Sequence, residues 1–495
     1  MVFSKIKSAI KAHTHELIGS SLELAPFEIV NDRRQSFQAR KFYGTNLGSW
    51  FVLEKWMAPS MYSDKCASEA EIDAVKCAIE ELGVDGAREK WNKHYAEFIG
   101  PADWDWMRDA GVNAVRVPLG YWVVGGVYED AVDSTPFGDS DVRAVYADAW
   151  AHYTSMIETA GQAGIGVLVD LHALPGGANA DAHSGVVNDP PKFFSSSSKM
   201  DKALRAIEFI ADNVKQYDNV IGIQIINEAA YGNASIAKGF YYPEAIKRVR
   251  AIDPRQQVVV SDGWDLPDFT AWAADKPGVL IDTHVYRCFS DKDRQSSPHE
   301  IIEALRSGDG GLTSHALVGE FSCVLDGQTW GRVSDGEREH LRGEFGRAQF
   351  ELFKRHTTGA FFWSYKFEWG GGGEWGFREM IESGCYPRND LRQSNAIARG
   401  QSQADAKQAA LGPHVDYWNQ NSSDEMEHWR YEMGFDAGWA DAEAFFNASG
   451  GTSQIGQVDE YLAARKREHE SAHGSSGFIW EWEHGYRAGL DAFAG

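Results

Sequence analysis

The chain has 495 residues, and 48 Lys and Arg against 72 Asp and Glu give it a net charge of −24 and a pI near 5.1. Such a field repels polyanions, which excludes nucleic acid and acidic membrane surfaces as partners and leaves a neutral substrate as the expectation. A hydrophobic share of 43% supports a large packed core, and 18 tryptophans offer flat apolar faces of the kind that stack on sugar rings.

At the start of the chain Phe3, Ile6 and Ile10 fall at helical spacing among Lys5, Lys7 and Lys11, which predicts a short helix docked on its own fold. No apolar run has the length of a secretory signal or a membrane span, so a cytoplasmic protein with no membrane span is expected. Residues 1–41 read as an N-terminal extension. From 42 to 390, short apolar runs alternate with helical patterns: Phe42–Gly48, Val112–Pro118, Ile165–Asp170, Val220–Ile226, Gln257–Ser261, Val279–Val285, Ala316–Phe321 and Ala360–Tyr365. Their interiors are nearly continuous apolar sequence, as strands buried on both faces require. With returning helices such as Ala144–Ala163 and Lys202–Gln216, the eight runs predict an α/β chain closed into a (β/α)8 TIM barrel.

Residues 391–413 are polar and rich in Gln and Ala and read as a linker. The segment 414–495 holds 15 acidic and 5 basic side chains, which is −10 of the −24, and reads as an acidic helical appendage. It contains an internal echo, Gly434-Phe-Asp-Ala-Gly438 against Gly485-Tyr-Arg-Ala-Gly489, which predicts two copies of a helical unit and a candidate surface for a protein partner or self-association. Five cysteines, Cys66, Cys77, Cys288, Cys323 and Cys385, form no CxxC pair and leave only a Cys66–Cys77 or a Cys288–Cys323 bridge open.

In a barrel the chemistry belongs to side chains at the C-terminal ends of the strands. Those ends carry Arg116 on the second run, His172 on the third, Asn227 and Glu228 on the fourth, His284 and Tyr286 on the sixth, Glu320 on the seventh and Trp363 on the eighth. Two glutamates across one barrel mouth are what a retaining glycosidase needs, one to donate a proton to the leaving oxygen and one to attack the anomeric carbon. Glu228 follows an apolar strand, so burial and a neighbouring negative charge are expected to keep it protonated as acid/base. Glu320 is expected to stay ionised beside Arg116 and Tyr286 and to act as nucleophile. Asn227 can donate to a sugar 2-hydroxyl, His172 and His284 to other hydroxyls or to the nucleophile, and Trp363 can floor the sugar subsite.

His172, His284 and Glu320 could also form a metal set of two imidazoles and one carboxylate, but no HExxH or close His pair supports it, so no metal and no cofactor are expected. Neither a GxSxG elbow nor a phosphate- or dinucleotide-binding glycine loop stands at a strand-to-helix junction.

Seven segments, GTNLGSWFVLEKWMAPSMY, NAVRVPLGYW, VDLHALPGGANADAHSG, IQIINEA, DTHVYRCFS, ALVGEFS and FFWSYKFEWGGGGEW, carry a resemblance that covers about residues 40 to 390. Through them the chain resembles glycoside hydrolase family 5, in particular its fungal exo-β-1,3-glucanases. The resemblance implies a retaining exo-glucosidase with Glu228 as acid/base and Glu320 as nucleophile. It places Arg116, His172, Asn227, His284, Tyr286 and Trp363 in the sugar subsite. It adds Glu54 as a holder of the terminal glucose and Phe289 as half of an aromatic clamp on the next sugar. Two departures stand out. The exo-glucanases usually carry an aromatic, Asp and Asn before Ser-Gly, whereas this chain has Asp181, Ala182 and His183 before Ser184-Gly185, and Ser49 stands where a second Gly is usual. The first departure opens the alternative of a β-glucosidase for a small glycoside, such as a diglycoside conjugate or a steryl glucoside. A catalytically silent sugar-binding scaffold is the competing reading from another class, and retention of both glutamates weighs against it.

Overall fold

The computed structural model describes Leu22 and residues 24–390, 394–451 and 453–495, so the helix expected around Phe3, Ile6 and Ile10 lies outside the described residues. Two compact units account for them, one holding Leu22, Leu24, Ala25 and Tyr43–Pro387 and the other Pro26–Phe42 together with Arg388–Gly495.

The first unit is built on a closed barrel of eight strands in sequential order: β1 Phe42–Asn46, β2 Ala114–Gly120, β3 Gly166–Ala173, β4 Val220–Gln224, β5 Val258–Ser261, β6 Val279–Arg287, β7 Ala316–Leu325 and β8 Gly359–Phe362. Neighbouring strands pair in parallel, and every residue of β1 to β5 and of β8 is buried, which is why these strands read as unbroken apolar runs. All eight predicted runs overlap these strands.

Helices return the chain between strands. Ser197–Val214 buries Met200, Ala203, Leu204, Ile207, Ile210, Ala211 and Val214, the stripe expected of a helix covering a sheet. Pro298–Ser307 and Asp335–His356 each begin with a capping box, Ser297 with Glu300 and Ser334 with Glu337, and the second ends on Lys354, Arg355 and His356, where a helix C-terminus favours positive charge. Alternate strand residues point into the barrel, and near its C-terminal end that interior is polar: Asn46, Arg116, Asp170, Gln224, Asp282 and Glu320 are all buried. Gly319 makes room for this layer, since a Cβ there would lie 1.9 Å from Asp282 Oδ1.

In the second unit the segment expected as a linker is largely helical. Ala396–Arg399 and Gln403–Asn421 run through it, because Gln and Ala are strong helix formers and Ala406 and Ala410 give the second helix a small apolar face. Residues 26–41, expected as part of an extension, contribute Phe27, Ile29 and Ala39 to the same core. The internal echo is the packing face of the helices His428–Ala448 and Ile479–Ala494. A Cβ on Gly434 or Gly438 would come within 2.1 Å of the carbonyl oxygen of Trp482 or Tyr486, and one on Gly485 or Gly489 within 2.3 Å of that of Tyr431 or Phe435. Each helix therefore uses its glycines to let the other's backbone approach. Buried charges on these helices are paired: Arg465 grips Asp441 through both Nε and Nη2, and fully buried Glu481 accepts from the Glu427 backbone at 2.7 Å and faces His428 Nδ1 at 2.7 Å and His414 Nε2 at 3.0 Å.

All five cysteines are free thiols, so neither bridge left open by the sequence forms. Among the described residues no helix is long and apolar enough to cross a membrane.

Candidate active site

Arg116, the third residue of β2, organises the barrel mouth. Its fully buried guanidinium donates to Gln224 Oε1 at 2.9 Å, Asn46 Oδ1 at 2.9 Å, Asn227 Oδ1 at 2.7 Å and Glu320 Oε1 at 3.0 Å, and it lies 3.0 Å from Asp170 and 3.6 Å from Asp282. A buried cation needs such compensation, and the rigid fork of arginine supplies donors enough for all of these acceptors.

Glu320 on β7 is held at both oxygens, by Arg116 at Oε1 and by the Tyr286 hydroxyl at Oε2, 2.8 Å away. Glu228 lies four residues past the end of β4 with the main chain in the left-handed region, φ 41°, and Asn179 donates to its carbonyl at 3.2 Å. A non-glycine residue in that region costs of order 1–3 kcal/mol and persists where the surroundings over-determine it, as functional sites do. His284 lies between the two glutamates, with Nδ1 2.8 Å from Glu228 Oε1 and 3.5 Å from Glu320 Oε2, and its Nε2 is 3.1 Å from Asp282. One carboxylate oxygen of each glutamate and a ring nitrogen of His284 all lie within 4.8 Å of one another.

The sequence expectation held Glu228 to be kept protonated by burial and a neighbouring negative charge, and the structure adds groups that act against that. Burial pushes Glu228 up, but the hydrogen bond from His284 and the charges of His284 and His183 act against it and hold the carboxyl below the usual carboxylate range. Burial raises Glu320, with the charge of Glu228 adding to it, against the pull of His284 and Arg116. Two imidazoles converge on Glu228, and only one of them was foreseen at the site.

The second imidazole is His183. Its Nε2 is 3.4 Å from Glu228 Oε2 and 3.8 Å from Asp181 Oδ2, and its Nδ1 is 2.9 Å from His172 Nε2. His172 in turn sets Nδ1 2.6 Å from Asp170 and receives the Asn227 amide at 3.2 Å. Thus His172, read as a hydroxyl donor, is buried in a relay instead, and it does not converge with His284 and Glu320 as a metal set would. Burial drives its own charge well out of reach, so it is neutral.

Around this centre, Trp363 is buried with Met57 and Phe367 and its ring lies nearly parallel to His172, 6.1 Å away. Phe289 is 60% exposed at the rim and touches Tyr286 and Trp375, with centroids 5.4 and 6.2 Å apart. Trp375 and Trp264 were not foreseen; Trp264 is half exposed and packs edge-on against His284. Glu54 is half-buried with Trp56 Nε1 on Oε2 at 2.8 Å, and burial lifts it to about 7 with the charges of Glu320 and Glu228 adding to the rise. Asp170 and Asp282 were also missed, although a signal was there. Each stands two residues before a strand-end histidine, Asp170-Leu-His172 and Asp282-Thr-His284, and period two puts both members of a pair on one face of the strand.

Residues 72–368 match the family described as cellulase (glycosyl hydrolase family 5), and residues 399–495 match the glucan 1,3-beta-glucosidase 3 C-terminal domain. An uncharacterized glycosyl hydrolase of Saccharomyces cerevisiae is 36% identical over 484 residues, covering 93% of this chain and 92% of its own. A glucan 1,3-beta-glucosidase 3 of Schizosaccharomyces pombe is 32% identical over 463 residues, covering 92% and 94%. Among solved structures, a rutinosidase from Aspergillus niger superposes with a TM-score of 0.54 at 20% identity, covering 71% of this chain and 99% of that one, a likeness of fold. A two-glutamate barrel mouth, a family match over more than half the chain and full-length relatives above 30% identity lead to one conclusion: the chain belongs to glycoside hydrolase family 5 and is a hydrolase of carbohydrate substrates.

Proposed function

We propose that the protein is a retaining, exo-acting β-glucosidase that cleaves neutral β-1,3-linked glucan oligomers, with Glu228 as acid/base and Glu320 as nucleophile. The observation that carries this reading is the approach of the two carboxylates to within 4.8 Å. Retaining enzymes hold them about 5 Å apart, whereas inverting enzymes leave about 6.5–9.5 Å for a water. Glu320 attacks the anomeric carbon as Glu228 protonates the departing oxygen; then Glu228 takes a proton from water and the hydroxide releases the glycosyl group from Glu320. Arg116 and Tyr286 fix the orientation of the nucleophile, Asn227 stands next to Glu228 for the 2-hydroxyl, and Trp363 forms the apolar floor. The name of the fission-yeast relative supports the β-1,3 linkage, and Glu54, within electrostatic reach of both glutamates, supports a closed end to the cleft.

A second reading, a β-glucosidase for a small glycoside, is favoured by one observation. Asp181, where the exo-glucanases carry an aromatic, is exposed and pairs with His183, so this loop gives Phe289 no opposing ring for the second sugar.

In a Glu320→Gly variant, added azide should restore turnover of an activated aryl β-glucoside and give the α-glucosyl azide; in Glu228→Ala, azide should give the β-glucosyl azide. The reverse pattern would exchange the two roles. Release of glucose alone from laminari-oligosaccharides supports exo action, and mixed oligomers as first products would overturn it.

A further inference from the structure

Resting on that reading, the structure assigns His183 as the proton partner of the acid/base: one mobile proton is shared between His183 Nε2 and Glu228 Oε2, and a relay through His172 to Asp170 fixes the tautomer that makes this sharing possible.

The relay is oriented from Arg116. Its Nη2 donates to Asn227 Oδ1, so the Asn227 amide turns its NH2 toward His172 Nε2, 3.2 Å away. That nitrogen must then be an acceptor. His172 Nδ1 correspondingly carries the hydrogen and donates to Asp170 Oδ2 at 2.6 Å. The second partner of His172 Nε2 is His183 Nδ1 at 2.9 Å, which must also be a donor. His183 is therefore N–H at Nδ1 in every state, and only Nε2 is left to gain or lose a proton. Nε2 faces Glu228 Oε2 at 3.4 Å, while the other Glu228 oxygen is occupied by His284.

The charged groups facing His183 are Asp181, Glu228, Glu54 and Glu320, all acidic, with neutral His172 behind it. Burial disfavours its charge, but Asp181 and these carboxylates outweigh that and lift the ring to about 9. In the free enzyme the proton thus rests on His183 and Glu228 is a carboxylate. When the glycosidic oxygen arrives, the proton passes from Nε2 to Oε2 and on to that oxygen, the carbon–oxygen bond breaks and Glu320 bonds to the anomeric carbon. In the second half Glu228 takes a proton from water, hydroxide replaces Glu320, and the proton returns to Nε2. One bond has been hydrolysed and the site has its proton back. His183 acts through Glu228 and is a positioning residue, on a loop where the exo-glucanases usually carry Asn.

The test compares His183→Asn with wild type on β-glucosides of graded leaving-group acidity. The variant keeps a donor for His172 and has nothing to titrate. Activated aryl glucosides should lose least and alkyl glucosides most, reaching about 100-fold in kcat/KM, within the span of general acid catalysis. The alkaline limb of the pH profile should move to lower pH. An equal loss on every substrate with an unmoved limb, or no loss, overturns the proposal. Should the variant not fold, 15N spectra of histidine-labelled wild-type protein decide instead: Nδ1 of His183 must stay protonated from about pH 5 to 9 while Nε2 titrates, and a bare Nδ1 refutes it. Glu228→Ala is run alongside. If it shows leaving-group dependence and His183→Asn does not, the acid/base assignment stands and only His183 falls.

Discussion

The barrel mouth and the helical unit of residues 388–495 both bury charge, and they do so differently. In the helical unit each buried charge is matched locally: Asp441 by Arg465, Arg430 by Glu427 and His469, and Glu481 by three N–H-bearing groups. At the barrel mouth Asp170, Asp282, Glu228, Glu320 and Glu54 share one guanidinium and the imidazoles of His183 and His284, and several of these carboxyls are displaced from their usual titration range. Balanced burial ties helices together, whereas a surplus of one sign in a concave mouth stores the protons that a reaction moves.

Removing members of each set separates the two kinds of burial. Glu320→Ala should lower kcat/KM on an unactivated glucoside by about 10⁴-fold or more, as loss of a nucleophile does, with little change in the melting profile; an equal loss from Asp441→Ala would erase the distinction. Arg116→Met takes the guanidinium away from buried Asp170, Asp282 and Glu320 and should cost about 3–5 kcal/mol in denaturant unfolding, the range for breaking a buried pair.

The strand pattern was legible because a parallel barrel strand is buried on both faces, and residue type alone reveals that. So were the two glutamates and Arg116, as ionisable residues set in or just after apolar strand runs. Other features were not, because they depend on residues far apart in the chain. Glu71, fully buried, accepts from the Leu53 backbone, Trp122 Nε1 and the Tyr146 hydroxyl, and no local pattern joins those positions. His183 was visible only as a departure from relatives; that it reaches Glu228 is a property of the folded loop. The C-terminal echo was legible as a repeat, but its meaning as two glycine faces packed on each other required the helices to be placed.

Smaller effects probe the same contrast. Gly438→Ala puts a methyl 2.0 Å from the Tyr486 carbonyl and should destabilise by about 1–3 kcal/mol through overpacking. Gly336→Ala, in the first turn of Asp335–His356 with open space around it, should instead be neutral or gain up to about 1 kcal/mol. Glu71 is lifted by burial from 4.5 to about 7, so the folded state holds its proton where the unfolded chain has lost it. Its contribution is full below the unfolded value and is lost as pH rises through 7, falling between the two at up to about 1.4 kcal/mol per pH unit. Unfolding curves of wild type and Glu71→Gln across that window should differ in slope.

The measurement closest to the centre of the account is trapping with an activated 2-deoxy-2-fluoro-β-glucoside, followed by peptide mass analysis and NMR of the first product from a normal substrate. A fluoroglucosyl ester on Glu320 and a β-configured first product are expected. A label on Glu228, or an α-configured product with no label, would contradict it.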